Sequence, residues 1–172
     1  LRYGMHDLAY PPATGQKIYM NNAHLPTSRS LPIALLRARE RVMGPIRTML
    51  ADVDVTEQQW RVLRVLHEGG AMEPTAISEM ACLLLPSLTR ILQKLEEKKL
   101  IVRNPHPSDK RRQVIVITQT GRDLIDSNQS AAQELAEDLR VRMGPDRYAL
   151  LLDLLAELEN IEETPREQVL AK

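Results

Sequence analysis

Aromatic side chains are scarce in this chain: they make up 3% of its 172 residues, and phenylalanine is absent. Apolar residues still reach 43%. The core must therefore come from Leu, Ile, Val, Met and Ala, a set that suits packed helices better than a β-sandwich. The single cysteine, Cys82, excludes an intrachain disulfide framework and a cysteine-based zinc site, and it fits a reducing, cytoplasmic setting. No apolar run approaches the ~20 residues that span a bilayer, and no charged-then-apolar leader opens the sequence, so no membrane association is expected. His6, His24, His67 and His106 are scattered without ligand spacing, so no metal is expected. A Gly-rich phosphate loop, a nucleophile elbow and a paired metal-ligand motif are also missing. Neither enzymatic activity nor a cofactor is expected.

Net charge is zero, which at first argues against nucleic acid, but its distribution argues the other way. Residues 86–118 carry eight Lys or Arg against three acids, whereas 119–163 carry four basic residues against eleven acidic ones. A local basic patch on a neutral chain is the electrostatic footprint of a DNA-reading segment attached to something else.

The periodicity divides the chain into helices and one short hairpin. Residues 1–30 hold Pro11, Pro12, Pro26, Gly4 and Gly15 with no sustained period, and they are expected to form an extended arm. Ser30 is placed to cap a helix running to about Leu50, with Leu35, Leu36, Val42, Met43, Ile46, Met49 and Leu50 on its apolar stripe and Pro45 as a candidate kink. Thr56 and Gln59 form a capping box for a second helix that Gly69-Gly70 stops. A short helix from Pro74 to about Ala81 is expected to bury Ile77, Met80 and Ala81. Pro86 then opens a helix to about residue 98, in which Leu88, Ile91, Leu92 and Leu95 share one face. Leu100–Arg103 and Val114–Thr118 read as strands flanking a turn-rich basic loop. Helix, helix, strand, basic loop, strand is the order of a winged helix-turn-helix, here spanning residues 56–118. Thr118 caps a long helix that Gly144-Pro145 breaks, and a final Leu-dense helix ends near 163, before a frayed tail over 164–172. The Leu density of the final helix exceeds what one small helix needs, so the helices of 119–163 are expected to be buried against a second copy, packing together with the first helix, 31–55. The expected fold class is mainly α with a small β-wing (α+β): a winged helix-turn-helix core plus a helical dimerisation module.

The segment Asp109-x-Arg111-x-x-x-Ile115-x-Ile117-Thr118-x-x-Gly121 resembles the wing and exit signature of the MarR family. Thr56-Glu57-Gln58-Gln59-Trp60-Arg61-Val62-Leu63 is similar to that family's second helix, and Leu95-Glu96-x-x-x-Leu100-Ile101 to the end of its recognition helix. Within the family, Leu35–Glu40 and Ala81-Cys82-x-x-x-Pro86-Ser87-Leu88-Thr89-x-Ile91-Leu92 look most like regulators of homoprotocatechuate (4-hydroxyphenylacetate) breakdown. The resemblance covers roughly residues 31–163. It implies a homodimer on a palindromic DNA operator, released by a small aromatic carboxylate, with repression as the mode.

Candidate sites follow from side-chain chemistry. On the helix from Pro86, Arg90 can pair with guanine and Gln93 with adenine. Ser87 and Thr89 suit phosphate or methyl contacts, and Lys94, Lys98 and Lys99 suit phosphates. In the wing, Lys110, Arg111 and Arg112 are available for phosphates or a narrow minor groove, and the resemblance implies that Asp109 orients a neighbouring arginine. Each could instead belong to an ordinary solvated face. Arg39 lies in the first helix's apolar stripe, and a charge there needs a partner. One candidate is an effector carboxylate in a pocket with Leu36, Met43 and Trp60, as the resemblance implies; the other is a structural ion pair, for example with a terminal helix across a dimer. Cys82 among Leu83, Leu84 and Leu85 is expected to be buried filler, with a thiol redox switch as the alternative. A helical protein-interaction module whose basic hairpin binds an acidic partner is the competing functional class.

Overall fold

The computed structural model describes residues 27–161. The expected arm before residue 27, the tail over 164–172, His6 and His24 lie outside them. A 3-10 turn, Thr27–Arg29, leads into α1 (Leu31–Ala51), followed by α2 (Glu57–Gly69), α3 (Pro74–Met80), α4 (Leu85–Glu97), β1 (Ile101–Pro105), β2 (Gln113–Ile117), α5 (Gln119–Met143) and α6 (Pro145–Glu159). The chain divides into two compact units after Arg37, within α1. The unit from Ala38 onward carries α2 to α6 and the hairpin. No single helix among the described residues is long and apolar enough to cross a membrane.

Local chemistry sets the helix ends. Thr56 accepts a hydrogen bond from the Gln59 amide while the Gln59 side chain accepts one from the Thr56 amide, closing the capping box of α2. Gly70, at φ 77°, ends that helix in the left-handed region. Thr118 caps α5 by accepting from the Gly121 amide. α1 continues through Pro45, although a proline there withholds one intrahelical donor. Two left-handed residues other than glycine, Cys82 and Lys99, close α3 and α4. Leu83 donates to Ser78 O at 2.9 Å, and Leu100 donates to Leu95 O at 2.9 Å. These are the six-to-one bonds of a helix C-terminal lock, which turns the next apolar residue inward.

Leu63, Leu66, Ile77, Leu88, Leu95, Ile101, Ile115 and Ile117 are fully buried and form one cluster joining α2, α3, α4 and the hairpin. β1 and β2 pair antiparallel, with Ile101 opposite Ile117 and Pro105 opposite Gln113. A third segment, invisible to the period-two pattern, joins them: Met72 exchanges both backbone bonds with Ile115, at 3.0 and 2.7 Å. This bridge fixes the wing's base to the start of α3. α3 and α4 meet at 107°, inside the range of a helix-turn-helix pair. The expected burial of Met80 is not realised: it is exposed, while Ile77 and Ala81 are buried. With only seven residues in α3, its inward face is one turn wide, and Met80 falls off it.

Gly121 marks where α5 approaches the hairpin. A Cβ there would collide with the Leu100 carbonyl and approach Ile117 Cγ1 to 2.7 Å. Gly121→Ala is therefore expected to lower stability by about 1–3 kcal/mol through overpacking. A melting curve unchanged from the parent would contradict that close approach.

Candidate nucleic-acid interface

α4 separates its two faces cleanly. Leu88, Leu92 and Leu95 are buried, so the helix is held by hydrophobic burial worth about 1.5–3 kcal/mol per side chain. Pro86, the second helical residue rather than the first, Arg90 and Gln93 project from the opposite side and are exposed, with Ser87 and Thr89 exposed on the flanks. The Thr89 hydroxyl donates to Leu85 O at 3.0 Å.

Ion pairing divides the basic residues into two groups. Lys94 is paired with Glu97 at 2.7 Å, Lys98 with Asp54 at 2.9 Å, and Arg103 with Glu96 at 2.9 Å. Arg112 meets Glu73, its Nε 3.1 Å from Oε2, and this hydrogen-bonded carboxylate raises the guanidinium pKa above its ordinary value. Arg90, Lys99, Lys110 and Arg111 are exposed and make no ion pair among the described residues. Lys98 and Arg112, expected as DNA contacts, thus hold α4 to the loop before α2 and the wing to the start of α3. Asp109 accepts from the Arg111 amide at 3.0 Å through its side chain and from the Arg112 amide at 2.9 Å through its carbonyl. It shapes the backbone that carries Arg111, and pairs with neither guanidinium among the described residues.

Arg39 has its partner within the chain, at the first residue of α2. Glu57 is almost fully buried and faces the guanidinium groups of Arg39, Arg47 at 3.5 Å and Arg61 at 3.7 Å. Arg47 also binds Glu40 at 2.5 Å, and that hydrogen bond holds the Glu40 carboxyl below its usual pKa. Arg61 in turn donates to the Ala81 carbonyl at 2.9 Å, where α3 ends. The charge in the α1 stripe is therefore balanced by an ion-pair cluster inside one protomer. Removing its buried acid, Glu57, should matter more than removing any one base. Because the arginines are themselves more than a third exposed, Glu57→Gln is expected to cost about 1–3 kcal/mol, below the full cost of an orphaned buried charge. A chemical-denaturation midpoint equal to the parent's would show the cluster to be ornamental.

Trp60 and Arg39, both expected around an effector, line different cavities. Leu36 is exposed and lies in the first compact unit. Met43 is half-buried, and Arg39 lines an open cleft with Arg47, Leu50 and Gln58. Trp60 is buried in the core and walls a different cavity, about 390 Å³, between α2 and α5. Arg64, His67 and Glu68 of α2 line it with Trp60, against Ile125, Gln129, Ala132, Gln133 and Ala136 of α5. Arg64 pairs with Glu68 at 2.7 Å; His67 Nε2 lies 3.4 Å from Asp126, and its buried Nδ1 has no partner among the described residues. Sequence reasoning misses Arg64 and His67, although their spacing of four and seven residues from Trp60 places all three on one helix face.

Cys82 is exposed, against the expectation that it fills the core. The lock at the end of α3 explains this. Cys82 takes the left-handed turn position and points outward, and Leu83 turns in to pack on the core in its place.

Residues 55–112 match the MarR family. The helix-turn-helix-type transcriptional regulator FarR of Neisseria gonorrhoeae is 37% identical over 134 residues, covering 78% of this chain and 92% of that protein. The chain belongs to the MarR family. The MarR match spans α2 to the wing tip, the region where the unpaired basic residues lie. The homoprotocatechuate degradative operon repressor of Escherichia coli is 33% identical over 140 residues, covering 81% of this chain and 95% of the repressor. Among solved structures, NadR in complex with 4-hydroxyphenylacetate superposes with a TM-score of 0.70 at 36% identity, covering 81% of this chain and 99% of NadR. Both the winged-helix architecture and the kinship with homoprotocatechuate-type regulators, expected from the motifs, are thereby established for this MarR-family transcriptional regulator.

Proposed function

We propose that this regulator is a homodimeric repressor that holds a palindromic operator and releases it on binding a small aromatic carboxylate. It acts in the cytoplasm and has no catalytic activity of its own. The observation that carries the reading is the pairing pattern. Lys94, Lys98, Arg103 and Arg112, half of the bases on and around α4 and the wing, are tied to acids, whereas Arg90 at the centre of the outward face, Lys99 just after α4, and Lys110 and Arg111 at the wing tip are left to solvent among the described residues. Arg90 and Gln93 have the donors and acceptors to read guanine and adenine in the major groove, and the wing tip has the charge to sit on a phosphate or in a minor groove. Two copies would set their α4 helices about 34–36 Å apart, one turn of DNA. The modules 31–55 and 119–163 supply the dimer contact. Uncovered apolar side chains support this: Val42 on α1 and Leu150, Leu152 and Leu154 on α6 are all exposed in the single chain.

The effector is assigned to the α2–α5 cavity. Trp60 offers a ring face and Arg64 a carboxylate partner once it exchanges Glu68. Arg39 stays with Glu57 as a structural pair. To release DNA, the ligand must prefer the misaligned dimer; each tenfold preference shifts the balance by about 1.4 kcal/mol.

Selection of duplexes from a random pool, followed by anisotropy titration with and without 4-hydroxyphenylacetate and 3,4-dihydroxyphenylacetate, tests the reading. A selected inverted repeat whose binding weakens with either acid supports it. A selected repeat indifferent to both keeps the repressor and removes the effector class. No sequence selected at all moves the basic hairpin to an acidic protein partner.

A further inference from the structure

One flank of α4 carries an apolar feature that the core does not require. Leu88, Leu92 and Leu95 already fill the inner face, yet Leu85, in the first turn, is 47% exposed. Thr89 stands one turn further along the same flank, also exposed. Its hydroxyl is engaged with the Leu85 carbonyl, a bond that leaves the γ-methyl as the group offered outward. Leu85 and the Thr89 methyl thus form a short apolar strip on the flank that continues to Gln93 one turn later, in the N-terminal half of the helix. That half is the part of a recognition helix that meets base edges. In the major groove, the apolar group available to such a strip is the C5-methyl of thymine.

We infer that Leu85 and Thr89 make this helix a reader of thymine methyl groups, adding to the hydrogen bonds of Arg90 and Gln93 a discrimination that neither can supply. The inference rests on the operator-binding reading above. Charge complementarity favours DNA as the occupant of the strip: Arg90 stands on the outer face of the same helix, and Arg90, Lys110 and Arg111 are without acidic partners among the described residues. Thr89 then acts through its methyl, not as a phosphate ligand, because a phosphate contact would have to break the bond to Leu85.

Deoxyuridine tests this directly, since it removes the methyl and keeps the base pair and its O4 acceptor. In the selected duplex, each thymine is replaced singly by deoxyuridine and affinity is measured for the parent and for Thr89→Ser, which keeps the hydroxyl and loses the methyl. At one or more thymines in each half-site, deoxyuridine is expected to weaken the parent about fourfold, the worth of one buried methyl. Thr89→Ser should weaken binding to the thymine duplex by the same factor and be insensitive to deoxyuridine at that position, so the two changes do not multiply. Leu85→Ala should do the same at an adjacent thymine. Circular dichroism checks that the variants remain folded. If every deoxyuridine duplex binds as the thymine one does, or if the two effects multiply fully, the inference is wrong while the repressor reading stands. If no duplex is selected in the first place, both fall.

Discussion

Replacing Arg90 with alanine should weaken operator binding by about 1–3 kcal/mol and relax the sequence requirement at one position of each half-site. Arg90 is exposed, central on the outer face of α4, and without an ion-pair partner among the described residues, so the loss falls on DNA binding and not on the fold. Lys110→Ala provides the contrast. A wing-tip cation on a phosphate should weaken selected and scrambled duplexes alike, and its removal should reduce the salt slope by about one for each phosphate no longer neutralised. Anisotropy titrations on both duplexes at several salt concentrations separate the two behaviours. An Arg90→Ala protein that discriminates as well as the parent would remove α4 from the reading role.

The second large effect concerns α6. Leu150 and Leu154 are 56% and 51% exposed, one helical turn apart, so glutamates there leave the core of a single chain untouched. Against a second copy they would bury two carboxylates per protomer without partners, a cost of several kcal/mol each. The Leu150→Glu/Leu154→Glu protein should sediment as a monomer with its melting transition retained. Its operator affinity should fall by about 10²–10⁴, the factor forfeited when a second half-site is no longer held nearby. A variant that remains dimeric at micromolar concentration would place the subunit interface elsewhere.

Much of the architecture is readable from the residues. The capping box at Thr56-Gln59, the cap at Thr118 and the Gly144-Pro145 break locate their helix ends correctly, because each signal depends on bonds between residues close in sequence. The apolar face of α4 likewise needs only helical spacing. Long-range features do not show. Met72 joins the sheet as a two-bond bridge to a residue 43 positions away, too short to leave an alternating pattern. For Arg39 the stripe points to an effector or to an acid across a subunit boundary, whereas its partner Glu57 sits on the next helix; a charge at a helix start reads in sequence as a first-turn acid and not as a buried counter-ion. The helix locks at Cys82 and Lys99 use residues with a Cβ where glycine is the customary signal, which is why Cys82 is expected inside and lies outside. The wing arginines are legible as a group but not individually: Arg111 is unpaired among the described residues, while Arg112 is bound to Glu73.

Trp60 is the chain's one tryptophan, and it forms part of the wall between α2 and α5. Light absorbed beyond the tyrosine band therefore comes back from a single place in each protomer. Whatever enters that space changes the colour and lifetime of the emission, and a change confined to the DNA-facing surface does not touch it directly. The molecule thus carries an unlabelled optical gauge of cavity occupancy, separable in one cuvette from the anisotropy of a dye on the duplex. The order in which ligand arrives and DNA departs becomes a matter of timing two signals.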